Sequence, residues 1–233
     1  MKYRNLFFDL DDTIWAFSRN ARDTFEEVYR KYSFERYFDS FDHYYTIYQQ
    51  RNTELWIEYG EGKITKDELN RQRFSYPLQA VGVEDETLAE KFSEDFFAII
   101  PTKSGLMPYA KEVLEYLAPK YNLYILSNGF RELQSRKMRS AGVDIYFKKV
   151  ILSEDLGVLK PWPEIFNFAL SATQSELRES LMIGDSWEAD ITGAHGIGMH
   201  QAFYNVTGRT SFPFQLSLIH IPSPRDKRQS RMP

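Results

Sequence analysis

The sequence predicts an α/β fold, in which a parallel sheet is covered by helices on both faces and an all-helical unit is inserted after the first strand. Two observations predict it. From residue 102 onward, short apolar runs alternate with amphipathic helical segments, the pattern of repeated βα units in a parallel sheet. Residues 16–98, in contrast, show helical periodicity uninterrupted by a strand signal.

The strands are short apolar runs, as expected for strands buried on both faces. The first covers residues 5–10 and must join the sheet despite its distance in sequence from the others. The later elements are, in order, a helix over 105–118, a strand over 123–126, a helix over 130–141, a strand over 149–152, a helix over 162–171, a strand over 181–184, a helix over 187–195 and a strand over 199–203. The expected core unit is therefore residues 1–15 plus 102–208.

The inserted segment, residues 16–101, is expected to form a helical cap. Aromatic and apolar residues recur in it at helical spacing: Phe41, Tyr44, Tyr45, Tyr48, Leu55, Trp56 and Tyr59. Such a stripe is more often the core of a helical unit than a ligand surface. Trp56 and Tyr59 have a second interpretation, because Gly60 and Gly62 place them beside a loop that could face the sheet.

Composition excludes several kinds of chemistry. The 233 residues suffice for one domain carrying an insertion. The net charge of -4 gives no electrostatic reason to expect a nucleic-acid polymer or an acidic membrane as a partner. Because the sequence contains no cysteine, it excludes disulfides, thiolate catalysis and cysteine-based zinc sites. Because the sequence shows neither a signal-peptide pattern nor a membrane-spanning apolar run, we expect a cytoplasmic protein. We also expect it to be monomeric or weakly homo-oligomeric.

The βα rhythm stops after Tyr204. Residues 209–233 lack apolar periodicity and are predicted to be disordered. Two origins of this tail stay open. It is either a natural flexible basic tail or, from about residue 215, a non-native one, since residues 216–221 resemble the translated end of a sequencing adapter.

Acidic residues directly follow the first strand. Asp9 and Asp11 are two apart, so both point the same way at the carboxyl edge where open α/β sheets bind ligands. Two carboxylates about 4 Å apart repel by roughly 4 kcal/mol at an effective dielectric near 20, so the pair needs a cation or a shared proton, and Mg²⁺ is the natural candidate. The alternative is that residues 11–13 only form a turn that caps the next helix.

A second signal follows the strand over 123–126. Ser127, Asn128 and Gly129 come between that strand and a helix, so a hydroxyl and backbone N–H groups stand at a strand tip that suits an anion. An Asn-Gly hairpin turn is the alternative, but residues 131–140 have a helical pattern and not that of a partner strand.

Two further signals complete the set. Lys160 stands just before a helix that begins at a proline; a lone lysine is usually solvated, but the strand over 149–152 delivers this one to the same sheet edge. Asp185 follows the strand over 181–184, and Asp190 comes about one helical turn later. Asp185 could be a mere helix cap, yet acids at the tips of two parallel strands form an oxygen-ligand site for a hard cation.

The order and spacing of these four signals resemble the haloacid dehalogenase (HAD) superfamily of phosphohydrolases, over residues 5–203. The resemblance implies a Rossmann-like, HAD-like sheet core with a helical cap of the C1 type. It also implies that Asp9 attacks phosphorus and that Asp11 is the general acid/base. Magnesium would be held by Asp9, the backbone carbonyl of Asp11 and Asp185, with Asp190 supporting the site.

The resemblance also assigns the phosphate-binding groups. Ser127 and the amides of Asn128 and Gly129 would hold the phosphoryl oxygens, while Lys160 would offset charge on the nucleophile and the phosphate. Because dehalogenases of the superfamily lack an acid two residues after the nucleophile, Asp11 makes carbon–halogen cleavage unexpected. The expected partner is a small phosphate monoester.

The cap indicates a substrate class. Residues 52–69 and 73–74, with residues 127–130, resemble the bacterial pyrimidine 5'-nucleotidases of the superfamily. This implies hydrolysis of nucleoside 5'-monophosphates, pyrimidines preferred, with the base stacked by Trp56, Tyr59 and Phe130. Three alternatives stay open: a phosphatase of sugar phosphates or other small metabolites, a phosphomutase, and a partner-binding protein without turnover.

Overall fold

The computed structural model describes residues 2–206 and 208–217. The described residues divide into two compact units, a sheet unit formed by those within Met1–Ala16 and Leu106–Pro233 and a helical unit formed by Phe17–Gly105. The sequence places the ends of the insertion at residues 16 and 101.

Among the residues that the structure describes, the sheet unit has five strands: β1 (Asn5–Phe8), β2 (Asn122–Ser127), β3 (Lys149–Leu152), β4 (Ser180–Gly184) and β5 (His200–Phe203). Their order is β3-β2-β1-β4-β5, and every neighbouring pair is parallel. The strand that comes first in the chain is therefore the central one. Phe8 pairs with Ile125 on one side and with Ile183 on the other. The predicted α/β class with a parallel sheet is confirmed.

The helical unit consists of α1 (Phe17–Lys31), α2 (Phe41–Gly60), α3 (Lys66–Ala80) and α4 (Glu86–Ile99). Its core is aromatic and is centred on Phe25, whose ring centroid lies 4.2 Å from that of Tyr48 and 4.3 Å from that of Phe96. Tyr44 and Leu55 of the predicted stripe are fully buried. Most of the stripe is therefore core, because helical spacing aligns these side chains on one face of α2.

The described part of the sheet unit contains four helices: α5 (Ala110–Leu117), α6 (Arg131–Ser140), α7 (Pro163–Thr173) and α8 (Gly193–Gly196). A wide π-type turn over Trp187–Thr192 precedes α8. Helix α5 begins five residues later than the predicted helix over 105–118, because Leu106 forms a bridge with Trp15 and the N–H of Met107 donates to the carbonyl of Ile14. Among the described residues, the helices lack the combined length and apolarity that crossing a membrane requires.

Residues 209–217, which the sequence analysis assigns to a disordered tail, instead contact the sheet unit. The N–H of Ser217 donates to Oε1 of Gln201 at 3.2 Å. Three apolar side chains pack against the cluster around Trp187: Phe212, Phe214 and Leu216. These contacts could not be expected from the sequence, because the apolar residues of this segment follow neither helical nor strand spacing. The remainder of the predicted tail, residues 218–233, lies outside the described residues.

Candidate active site

The carboxyl ends of β1 and β4 lie side by side at the point where the strand order of the sheet reverses. From β1 the chain continues to β2 and β3 on one side and later to β4 and β5 on the other. Open α/β sheets bind ligands at such a switch point. Asp9 follows β1, and its N–H donates to the carbonyl of Ile183 in β4 at 2.9 Å. The register therefore brings Asp9 beside Asp185, which follows β4.

Lys160 is a buried cation at this point, with only 5% of its surface exposed. Its ammonium donates to Asp9 Oδ1 at 2.7 Å, to Asp190 Oδ1 at 2.5 Å and to the carbonyl of Leu126 at 2.8 Å. All three of its N–H donors are thus used. Burial disfavours the charge, but the two carboxylates outweigh burial and hold the pKa of Lys160 above its ordinary value. The lysine is not the solvated surface residue that its type alone would suggest.

Asn128 holds the backbone that carries this lysine. Its Oδ1 accepts from the N–H of Lys160 at 2.8 Å, and its Nδ2 donates to the carbonyl of the same residue at 3.1 Å. The hydroxyl of Ser153 donates to the Asn128 carbonyl at 3.3 Å. From the sequence, only the backbone amide of Asn128 was expected to act, by binding phosphate. The structure gives its side chain a separate task, which is to position the Lys160 loop.

Three carboxylates meet beside the lysine. Asp9, Asp185 and Asp190 each place one oxygen within 4.8 Å of the others. Burial raises the pKa of Asp9 well above its usual range; the Lys160 charge opposes this rise, and the charge of Asp190 adds to it. Burial, with the charge of Asp190, raises the pKa of Asp185 to about 7. Hard divalent cations bind clustered carboxylate oxygens and offset the repulsion between their charges. These three residues therefore fit a magnesium site.

Local contacts orient the two acids that follow β4. Thr13 Oγ1 donates to Asp185 Oδ1 and accepts from the Asp185 N–H, both at 3.0 Å. Ser186 Oγ accepts from the Ala189 N–H at 3.0 Å, so Ser186 caps the following turn and Asp185 does not. The Ser186 N–H in turn donates to Asp190 Oδ2 at 3.1 Å.

The Asp11 carboxylate lies apart from these three acids and contacts α6. Gln134 Nε2 donates to Asp11 Oδ2 at 2.9 Å. Lys137 Nζ donates to Asp11 Oδ1 at 2.9 Å and to Oδ2 at 3.2 Å. Neither of these α6 residues was predicted from the sequence. A weak signal for them was present, because two polar residues three apart follow the strand tip that suits an anion. The metal role proposed for Asp11 concerns its backbone carbonyl and stays a prediction.

The Ser127 hydroxyl is also tied to α6. Its Oγ accepts from Gln134 Nε2 at 2.8 Å and from the Gly129 N–H at 3.1 Å. The Gly129 amide, which the sequence analysis assigned to a phosphoryl oxygen, is therefore used within the loop. The reason is local, since a serine side chain readily accepts from the N–H two residues later.

The three predicted base-stacking residues differ in exposure. Phe130, the residue before α6, is only 4% exposed, so its ring offers little surface to a base, which speaks against the stacking role predicted for it. Trp56 and Tyr59 are half-buried on α2 and meet edge to face, with ring centroids 5.8 Å apart. Their role stays a prediction.

We expect Mg²⁺ to raise the melting temperature more near pH 8 than near pH 5. Without a cation, folded Asp185 has a pKa of about 7, whereas the unfolded residue titrates near 4. Its contribution to the free energy of unfolding therefore falls as the pH rises from about 4 to about 7. A cation needs deprotonated ligands, so its binding grows over the same interval. Thermal unfolding with Mg²⁺ or with a chelator measures the effect.

The control for this measurement is Asp185→Asn, which should reduce the magnesium-dependent rise at every pH. A rise of equal size at both pH values would show that these carboxylates do not hold the ion.

Known proteins resemble the chain over most of its length. The model of the haloacid dehalogenase-like hydrolase family matches residues 3–198. The HAD-hydrolase YfnB of Bacillus subtilis (strain 168) is 32% identical, with 91% of this chain and 88% of that protein covered. Its magnesium-bound crystal structure superposes with a TM-score of 0.78 at 29% identity, covering 87% and 89% of the two chains.

Two further relatives have named activities. The pyrimidine 5'-nucleotidase YjjG of Escherichia coli (strain K12) is 31% identical, with 90% of this chain and 89% of that protein covered. The glyceraldehyde 3-phosphate phosphatase of Pyrococcus abyssi (strain GE5 / Orsay) is also 31% identical, with 85% and 80% covered.

Proposed function

Because the chain belongs to the haloacid dehalogenase-like hydrolases, we propose that it is a magnesium-dependent phosphatase that acts through an aspartyl-phosphate intermediate. One observation carries the proposal: a buried lysine ion-paired to Asp9 and Asp190, beside Asp185, at the switch point of the sheet. Phosphate monoesters hydrolyse very slowly unaided, and enzymes accelerate the reaction by up to about 10²¹. A covalent intermediate divides that barrier into two smaller ones.

Asp9 is the proposed nucleophile. One of its carboxylate oxygens forms a bond to phosphorus, the ester P–O bond breaks, and the electron pair goes to the leaving oxygen, which takes a proton from Asp11. Water then attacks phosphorus and gives a proton to Asp11, while the bond between Asp9 and phosphorus breaks and releases inorganic phosphate. Asp11 thus returns to its first protonation state in each cycle.

The remaining residues bind and offset charge. Lys160 holds Asp9 at 2.7 Å and places a positive charge beside the phosphoryl group, while Ser127 donates its hydroxyl hydrogen to a phosphoryl oxygen. Magnesium, held by Asp9, Asp185 and the Asp11 carbonyl with support from Asp190, would add positive charge near the phosphoryl oxygens.

Asp11 supports hydrolysis of a phosphate ester over cleavage of a carbon–halogen bond. An alkoxide leaving group needs a proton and a halide does not. The carboxyl two residues after the nucleophile is held by two side chains of α6, which suits an acid that must meet a leaving oxygen at a defined place.

For the substrate we propose nucleoside 5'-monophosphates, with pyrimidines preferred. The named activity of YjjG supports this, as does the resemblance of residues 52–69, 73–74 and 127–130 to the nucleotidases. Trp56 and Tyr59, half-buried on one helix, are the proposed stacking surfaces for the base. A sugar phosphate is the second candidate, supported by the Pyrococcus abyssi relative.

We expect metal-dependent phosphate release that is fastest with pyrimidine nucleoside monophosphates, slower with purine nucleotides and slowest with sugar phosphates. Stacking contributes about 1–3 kcal/mol per base, so Trp56→Ala should raise the KM for nucleotides by about tenfold. The same change should leave the KM for glycerol phosphate nearly unchanged, because that small ester has no aromatic ring to stack on Trp56. Phosphate release from each substrate, with magnesium and with a chelator, measures both effects.

Ile57→Ala is the matched control for this experiment, because Ile57 is the exposed neighbour on the same helix. Fast turnover of sugar phosphates alone would support the proposed phosphatase reaction and overturn the assignment of nucleotides as substrates. A folded protein that releases no phosphate from any ester would overturn the phosphatase itself.

A further inference from the structure

We propose that Gln134 and Lys137 are positioning residues for phosphoryl transfer, because together they join the Asp11 carboxylate and the Ser127 hydroxyl into one hydrogen-bonded unit. The inference rests on the proposed function, in which Asp11 exchanges the proton and Ser127 binds the phosphoryl group. It assigns a role to one face of α6.

Lys137 fixes the plane of the Asp11 carboxylate. It is 3% exposed, and its Nζ donates to both carboxylate oxygens, at 2.9 and 3.2 Å. The ammonium also lies 4.8 Å from the centroid of the Trp15 ring. A buried ammonium is costly unless it is paired, so this pair has one strongly favoured geometry. Contact with both oxygens resists rotation of the carboxylate about its terminal bond.

Gln134 links the two functional groups. It is fully buried, and the two hydrogens of its single Nε2 reach Asp11 Oδ2 and Ser127 Oγ, at 2.9 and 2.8 Å. Its Oε1 is buried and lacks a hydrogen-bond partner among the described residues. A buried unpaired acceptor destabilises a fold, so stability alone does not explain a glutamine here.

The loop before α6 is shaped to admit this side chain. A Cβ on Gly129 would lie 2.1 Å from Gln134 Nε2 and 2.5 Å from its Cδ, which is far too close for non-bonded atoms. Glycine at this position therefore allows the amide of Gln134 to lie against the strand tip and reach Ser127.

The same contact sets the direction of the Ser127 hydroxyl. A hydroxyl has two acceptor positions and one donor hydrogen. The N–H groups of Gln134 and Gly129 use both acceptor positions, so the hydrogen is left to donate elsewhere. In the proposed reaction it donates to a phosphoryl oxygen. Gln134 thereby prepares Ser127 as a donor while it holds the general acid/base.

Asp11 must give a proton to the leaving oxygen when the ester P–O bond breaks and take one from water when the bond to Asp9 breaks. Both transfers need the carboxyl group within hydrogen-bond reach of the reacting oxygen. Loss of its supports should therefore lower kcat much more than it changes KM.

The test uses Lys137→Met and Gln134→Met in the full chain, with Arg139→Met, at an exposed position of the same helix, as the matched control. With a nucleoside monophosphate, each of the two α6 variants should lose about 10²-fold in kcat. With p-nitrophenyl phosphate, whose phenolate leaves without a proton, Lys137→Met should release about one nitrophenolate per enzyme in a burst and then turn over slowly. With this substrate only the second step, hydrolysis of the phosphoryl group bound to Asp9, needs Asp11. Gln134→Met should show the same burst at a lower rate, because the Ser127 hydroxyl that it orients binds the phosphoryl group in the first step as well.

Asp11→Asn supplies the second readout. If Lys137 acts through Asp11, adding Lys137→Met to Asp11→Asn should change kcat by less than about twofold, since the two losses are not additive. Melting temperatures establish that each variant is folded, and Gln134→Met serves if Lys137→Met does not fold.

Two results would overturn the inference: wild-type kcat in both α6 variants, or an equal fall on both substrates without a burst. Absence of metal-dependent turnover in the unmodified protein would instead overturn the proposed function, so the two failures are distinguishable.

Discussion

Asp9→Asn is expected to abolish turnover while the protein still folds. The amide oxygen is a poor nucleophile and cannot form the acyl-phosphate bond, so kcat should fall by about 10⁴-fold or more, as for other covalent nucleophiles. Phosphate release from the preferred ester measures the loss. Acid quenching during turnover of a labelled ester should trap the phosphoryl group on the unmodified protein and not on the variant.

The stability of this variant follows from the charges around position 9. Burial raises the pKa of Asp9 well above its usual range, so its ionised form is costly in the folded state, and a neutral amide of the same shape avoids that cost. Asp190 still pairs with the lysine. Without metal, the melting temperature should therefore stay within a few degrees of the original or rise.

The matched control is Asp144→Asn, at an exposed position of the same unit, which should leave kcat unchanged. Substantial turnover by Asp9→Asn would show that another residue attacks phosphorus.

Lys160→Met should have the largest effect on stability. It removes the ammonium that pairs with Asp9 and Asp190 at 2.7 and 2.5 Å and leaves two buried carboxylates without a counter-charge. Removing one side of a buried ion pair typically costs about 3–5 kcal/mol, and turnover should be lost as well. The free energy of unfolding in urea measures the cost, with Lys111→Met as the exposed control.

A double variant separates the loss of charge from the loss of packing. Asp190→Asn combined with Lys160→Met removes one of the unpaired carboxylates and should recover part of the lost stability, although not the activity. If the double variant is as unstable as the sum of the two single ones, the cost of Lys160→Met comes from packing and not from the buried charges.

The strands and the acids at their ends were predictable from the sequence because both signals are local. A short apolar run bounded by turn residues indicates a buried strand, and a parallel sheet places every strand's carboxyl end at one edge. Asp9, Lys160, Asp185 and Asp190 could therefore be expected at one place before any contact was known. The structure brings these four side chains within ion-pair and ligand distance of one another.

The side chains that contact Asp11 could not be predicted from the sequence and are known only from the tertiary structure. Its contacts with Gln134 and Lys137 span 123 and 126 positions of the chain, and helical spacing alone would assign these two α6 residues to solvent as readily as to a site. The same is true of Phe130, which looked like an aromatic surface for a base and is buried.

By itself, the sequence determined the fold class, the sheet elements and the acids and lysine at the strand ends, because each depends on neighbours within a few residues. Tertiary structure alone decided that α6 supports Asp11 and Ser127, that Asn128 holds the Lys160 loop, and that residues 209–217 pack on the sheet unit. The physical reason is that these contacts follow from strand order and register, and neither the local propensity nor the periodicity of a segment specifies which distant segment will lie beside it.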